Sequence, residues 1–226
     1  MKERPISFNY EMMRAYLAGR KTQTRRIIKP QDERMAYLGG VFADGSIGFV
    51  NKDGKSILCP YGKPGDLLWV KENFAYKSKT EVIYQADFDI VDGFGSEIID
   101  FRTGNLIPLV WRSSRFMPRW ASRIKFPIIS IRPERVLEIS EEDAKAEGTT
   151  PSIVGADLEY LRYRAGFQTL WDGINAKRGH PIGNNDWVWR IEFPKYELED
   201  PETDEENPYL LHGEELENAI AMTYKR

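Results

Sequence analysis

The chain has 226 residues, 41% hydrophobic and 30% charged, enough for one well-buried domain with elaborations and ordinary for a globular protein. It holds no apolar run of about 18 residues, and Met1 to Arg14 lack an apolar core followed by a small-residue cleavage site, so neither a membrane helix nor a secretory signal is expected. Cys59 stands alone and His180 and His212 are the only histidines, which excludes an internal disulfide and a Cys/His metal cluster; the expectation is a reducing, cytoplasmic protein with no metal and no cofactor.

Pro5 to Phe8 reads as a short strand. Asn9 is placed to cap a helix over residues 9–18, with Glu11 in its first turn, an apolar stripe at Met13, Tyr16 and Leu17, and Gly19 at its end. Residues 26–29 read as a strand. Residues 30–60 are irregular, with weak strands near Gly39–Phe42 and Ile47–Val50 and turns at Asp44-Gly45 and Asp53-Gly54. The turn-rich Cys59 to Asp66 feeds a strand, Leu67 to Glu72, and Val82-Ile83-Tyr84 forms another. Residues 111–120 are a basic, aromatic loop. Ser122 to Arg132 reads as a long strand bent at Pro127, with Val136 to Ile139 continuing its pairing. Ser140 and Asp143 resemble a capping box for a helix that runs to Glu147 and ends at Gly148. A longer helix is expected over 156–176, then a closing strand, Asp186 to Phe193, with Trp187 and Trp189 on one face and at least one of them in the core. Beyond Pro194 the composition turns acidic, with a linker over 195–212 and a short helix over 213–224. The order of elements fits an α+β fold, a small β-barrel with flanking helices, over residues 1–194, with insertions near 31–60 and 75–110 and an acidic tail over 195–226.

The net charge of −3 argues against nucleic-acid binding until its distribution is read. Residues 195–226 hold ten acidic and three basic residues, which leaves +4 on residues 1–194. Residues 1–30 and 111–135 each carry +6. Such stripes are either solvated faces or the footprint of an anionic partner, and the acidic tail is a candidate to contact a basic surface.

Three segments carry a resemblance: Leu17-Ala18-Gly19-Arg20-Lys21-Thr22-Gln23-Thr24-Arg25-Arg26, Lys63-Pro64-Gly65-Asp66-Leu67-Leu68-Trp69-Val70, and Ile139 to Gly148. With the closing strand they are similar, in order and spacing over about residues 4–194, to the ASCH domain, a relative of the PUA domain. The run from Trp111 and Met117 to Arg123 resembles the longer, phage-associated members. Small bacterial ASCH proteins include amidohydrolases that remove the acetyl group from N(4)-acetylcytidine. What the resemblance implies for catalysis is the set Lys21, Thr24 and Glu147.

A threonine hydroxyl is inert without a base in hydrogen-bond reach, and Lys21 serves as that base only when neutral. On a regular strand, positions 21 and 24 point to opposite faces, so the chemistry requires a turn between them. Glu147 would orient Lys21 or protonate the leaving amine. Arg20, Arg25, Arg26 and Arg119 are candidate phosphate contacts, and Trp69, Trp111 and Trp120 candidate stacking platforms for a base. Glu72 is a candidate to pair with an arginine or to bond a base edge. The expected partner is a nucleoside or RNA. Three functions stay open: an amidohydrolase acting on an acylated cytidine, a non-catalytic module that binds RNA or a modified base, and an interaction protein whose acidic tail from Glu197 to Glu217 occupies a basic surface of a partner or of the chain itself.

Overall fold

A computed structural model describes residues 1–31, 39–43, 45–50, 53–87, 97–99, 106–153 and 161–197. The expected helix over 213–224, most of the acidic linker and the start of the helix expected from residue 156 lie outside the described residues. The chain divides into two units, Met1–Tyr196 and Glu197–Arg226. Every described strand and helix belongs to the first.

Strand β1 (Glu3–Ser7), helix α1 (Tyr10–Leu17) and strand β2 (Gln23–Ile27) open the fold. Asn9 Oδ1 accepts the Met12 N–H at 2.8 Å and starts α1 where the sequence places it. The helix ends before Gly19, whose φ of +65° is the left-handed conformation glycine adopts without penalty. β2 begins three residues before the expected 26–29. Its polar residues form a strand because they ladder against the closing strand, from Gln23 opposite Glu192 to Ile27 opposite Val188; pairing overrides their low strand propensity.

Strands β3 (Gly39–Val41), β4 (Ile47–Val50) and β5 (Ser56–Leu58) form an antiparallel meander. β6 (Leu67–Lys71) lies parallel to β1, and β7 (Phe74–Tyr76) pairs with β8 (Val82–Tyr84). β9 (Glu97–Ile99) and β10 (Leu106–Pro108) form a further pair. The basic, aromatic segment folds into two single 3-10 turns, Ser114–Phe116 and Arg119–Ala121. The long strand expected over 122–132 is two, β11 (Lys125–Pro127) and β12 (Ser130–Arg135). Between them the chain changes sheets: the Ile128 N–H bonds Asp66 O, and the Ile129 N–H bonds Glu192 O. The pairing continues for one bond, from the Val136 N–H to Asp186 O, and Val136–Glu138 then forms a 3-10 turn, because Glu138 accepts the Arg135 N–H at 3.1 Å and Asn185 accepts the Leu137 N–H at 3.0 Å.

Helix α2 (Glu141–Ala146) starts on the Ser140 hydroxyl, which accepts the Asp143 N–H at 3.0 Å. After β13 (Ser152–Ile153) and β14 (Leu161–Arg162), helix α3 (Tyr163–Asn175) begins later than expected, with Glu141 Oε2 taking the Tyr163 N–H at 2.8 Å. β15 (Trp187–Glu192) closes the unit.

The fold is α+β. The described strands form two- and three-stranded sheets, β1–β6–β11 and β12–β15–β2 among them, and no ladder of described residues closes into a barrel. β15 divides two apolar cores. Trp189 and Ile191 enter the larger one with Phe8, Tyr16, Phe126 and Phe193, while Val188 enters a smaller one with Val136, Ile139, Ala144, Phe167 and Trp171. Phe126 and Phe193 stack at 4.4 Å between ring centroids.

Candidate functional site

Residues of β2 alternate between these two cores. Thr24 is paired with Ile191 and shares its face with the larger core, whereas Arg25 is paired with Arg190 on the face that meets α2 and α3. On that second face the polar residues form an ionic seam. The Arg25 side chain is wholly buried and reaches Glu134 at 2.6 Å, Asp143 at 3.0 Å and Glu147 at 3.1 Å. Arg190 pairs with Asp143 at 2.9 Å, and Gln23 donates to the Asp143 carbonyl at 2.8 Å. Burial works against the Arg25 charge, but the carboxylates of Glu147, Glu134 and Asp143 outweigh it and hold the guanidinium protonated. Arg25 is therefore an internal counter-ion and not a phosphate contact. In the sequence it reads as a surface base because its partners lie more than a hundred residues away.

Lys21 stands just before β2 in an isolated bridge with Glu147. No turn separates positions 21 and 24: Lys21 is a bridge residue, Thr22 O accepts the Phe193 N–H, and the strand starts at Gln23; the Lys21 ammonium lies 5.5 Å from the Phe8 ring centroid, beside the larger core that Thr24 faces. Lys21 is 0% exposed, and Nζ donates to Gln23 O and Glu147 O, both at 2.8 Å, and to Glu147 Oε2 at 2.9 Å. Burial pushes its pKa down, the Glu147 charge opposes this, and Arg26 and Arg25 add to the lowering. Gly148 makes the close approach possible. Its φ is +80°, and a Cβ there would sit 2.6 Å from Ala15 Cβ and 2.9 Å from Lys21 Cβ.

The Thr24 hydroxyl is buried and has no hydrogen-bond partner among the described residues. An unpaired buried hydroxyl costs about 1–3 kcal/mol, so it calls for an explanation. Thr24 lines a cavity of about 240 Å³ together with Arg26, Lys29, Tyr61, Glu147 and residues of α3. Arg20 bonds Gly148 O at 3.2 Å and lines a second cavity of about 390 Å³ with Tyr10, Thr149, Gly166 and, again, Glu147. Glu147 thus stands on the wall between the two.

Compared with protein-family models, with curated proteins and with solved structures, the chain has no significant match. The site is therefore read from its own geometry.

Thr24, Arg25, Arg26 and Glu147 line the first cavity and Arg20 and Glu147 the second, while Lys21 lines neither and joins them through its ion pair with Glu147; Glu72, Trp69, Trp111, Arg119 and Trp120 lie apart from both. Glu72 is buried, paired with Arg123 at 2.8 Å, and its carboxyl is pushed up by burial against the pull of that arginine. Arg123 stacks 3.9 Å from the Tyr84 ring centroid, so this pair closes the β7–β8 region from inside. Trp69 is half-buried, with the Arg119 guanidinium 5.4 Å from its ring, and Arg119 bonds Glu3. Trp111 is half-buried beside an exposed Arg112. Trp120 is 55% exposed and borders a separate open depression with Tyr76 and Lys77. Trp189 is the core tryptophan of the closing strand, while Trp187 is half-buried under Arg135. Cys59 is buried, which raises its thiol to about 11 and leaves it a poor nucleophile. No group of His, Cys, Asp and Glu among the described residues is arranged to hold a metal, and no described helix is long and apolar enough to cross a membrane.

Several site residues carry no signal in the sequence. Glu134, Asp143 and Arg190 read as strand and cap residues, with nothing local to mark their shared ion pairs. On α3, Phe167, Leu170, Trp171, Ile174 and Asn175 line the Thr24 cavity at helical spacing, a face visible in the sequence but indistinguishable there from plain core.

Proposed function

We propose that the chain is an ASCH-type, PUA-like nucleobase- or nucleoside-binding protein, its strands a variant of the PUA-like barrel, and that it removes an acyl group from a modified cytosine such as that of N(4)-acetylcytidine. The observation that carries this reading is the buried Thr24 hydroxyl, unpartnered among the described residues, on a residue that lines the same cavity as Glu147, with Lys21 bound to that Glu147. In the reaction the Thr24 oxygen attacks the acyl carbon and its proton passes to neutral Lys21 Nζ. The tetrahedral intermediate then collapses as the departing N4 takes up a proton, leaving cytidine and a threonyl ester that water hydrolyses to the free acid. Lys21 makes no hydrogen bond to Thr24 at rest. To act it exchanges its contact with Gln23 O for one with the hydroxyl, a tightening of the kind that substrate binding brings. Because the hydroxyl is buried, the cavity wall parts to admit the acyl group.

A second reading rests on the same lysine. Its three protons already have three acceptors, the pattern of a finished structural ion pair, and this favours a site that binds a base without turning it over. One assay separates them: chromatography of N(4)-acetylcytidine incubated with the wild-type chain, Thr24→Val and Lys21→Ala. The hydrolase reading expects cytidine from the wild type alone. No product at high enzyme concentration leaves the binding reading.

A further inference from the structure

The cavity at Thr24 is an elongated groove. Its strand side runs from Thr24 to Lys29, about 16 Å at the rise of an extended chain. Its helix side runs from Phe167 to Arg178, about 16 Å at helical rise. The two sides run in step. At one end the Arg25 guanidinium lies 5.8 Å from the Phe167 ring. At the other, Ile28 bonds the carbonyl of Trp187, which follows Asp186, and Asp186 holds His180 Nδ1 at 2.7 Å.

The two ends differ in chemistry. The first is lined by Thr24 and Glu147; the second by Lys29, Arg178 and His180. Lys29 and Arg178 are exposed, and neither has a carboxylate partner among the described residues. Asp186 fixes the His180 ring through one nitrogen and leaves Nε2 as its remaining polar atom. Tyr61, Phe167 and Trp171 line the stretch between. Arg26 also lines the groove; its terminal nitrogen bonds Ser7 O at 2.6 Å, but its Nε is buried without a partner. Two residues of the groove's lining, Thr24 and Arg26, thus each keep a buried polar atom without a partner among the described residues, and the groove ends in two cations with no carboxylate among them and one histidine.

We infer that this groove recognises a nucleotide rather than a bare nucleoside, with the base toward Thr24 and a phosphate held by Lys29, Arg178 and His180. The inference rests on the nucleobase reading of the Thr24 end and adds a phosphate subsite to it. Two or three charge-assisted hydrogen bonds are what such a subsite offers. A free mononucleotide and a strand of RNA present the same phosphate chemistry, and the spacing suits either.

The test is calorimetric titration of the full chain with cytidine, with cytidine 5′-monophosphate and with a short single-stranded oligoribonucleotide. None of these is acylated, so turnover does not enter. The phosphate-bearing ligands are expected to bind at least about tenfold more tightly than cytidine, the value of one charge-assisted hydrogen bond. Arg178→Glu and Lys29→Glu, both at exposed positions, are expected to erase that advantage while leaving cytidine affinity unchanged. An advantage seen with the mononucleotide assigns the phosphate to a free nucleotide; one confined to the oligoribonucleotide assigns it to a strand. Equal affinities for all three ligands, or an advantage that survives both substitutions, overturn the phosphate subsite while the base reading stands. Absence of binding by cytidine and by both phosphate ligands overturns the base reading and the subsite with it.

Discussion

At the scale of single residues, the buried charges set the behaviour of the site. Glu147 serves two cations, Lys21 and Arg25. Glu147→Ala leaves Lys21 without its carboxylate and takes one of three from Arg25, and is expected to cost about 3–5 kcal/mol, the usual penalty for breaking a buried ion pair. Lys21→Met costs less, since Glu147 keeps Arg25; urea unfolding of the two variants gives the ranking. Asp143 responds to acid. Burial alone would raise its carboxyl, but the Gln23 hydrogen bond and the charges of Arg25 and Arg190 outweigh it, so its pKa is lowered on folding. The stability it contributes is complete above the ordinary aspartate range and is lost as pH falls through the lowered value. The unfolding midpoint of the wild type should therefore drop with acid more steeply than that of Asp143→Asn. Lys21 bears on rate. Where turnover is measured, activity rises with pH as Lys21 loses its proton, at lower pH than for a solvent-exposed lysine. Glu147→Gln removes the charge that opposes this lowering and moves the rise to lower pH still. The meeting of Lys21 with Glu147 was expected from the sequence through the resemblance, while the Thr24 hydroxyl bonds neither; the burial of Arg25 was not legible, because long-range partners leave no local pattern.

At the scale of elements, the caps were legible and the irregular joints were not. Asn9, Gly19, Ser140 and Gly148 act as the sequence indicates, since capping is a local hydrogen-bond matter. The sheet change at Ile128 and the 3-10 turn at Val136 depend on Asp66, Glu192 and Asn185, which are remote in sequence. Two glycines of α3 make this measurable. Gly173 has open space where a Cβ would be built, so Gly173→Ala should stabilise by up to about 1 kcal/mol through helix propensity. At Gly166 a Cβ would lie 1.9 Å from the Thr150 carbonyl oxygen, and backbone cannot yield as a side-chain tip does. The clash outweighs the same propensity gain, and Gly166→Ala should destabilise by about 1–3 kcal/mol. Thermal melts of the pair should shift in opposite directions; a rise for both would show that the loop over α3 is free to move.

At the scale of the whole molecule, the first unit ends at Tyr196, whose ring packs 5.4 Å from that of Tyr16, and Lys195 lies against Gly19. A chain ending at Tyr196 should keep the full-length melting temperature, and one ending at Phe193 should lose several degrees. The first truncation also removes ten acidic and two basic residues and takes the net charge from −3 to +5. It should bind a single-stranded oligonucleotide more tightly at low salt, with the difference fading as salt is added. The α+β class and the strand-rich order of this unit were readable from turn signals and periodicity; which strands share a sheet was not, because β2 and β15 meet across more than 160 residues. The ionic seam gives the unit a fault plane. On one side the aromatic core is held by contacts indifferent to acid; on the other, α2 and α3 are fastened by a smaller core and by carboxylates. Acid should open the molecule along that plane, and amide hydrogens of Ala144 and Glu147 should exchange with solvent while that of Val70 in β6 is still protected.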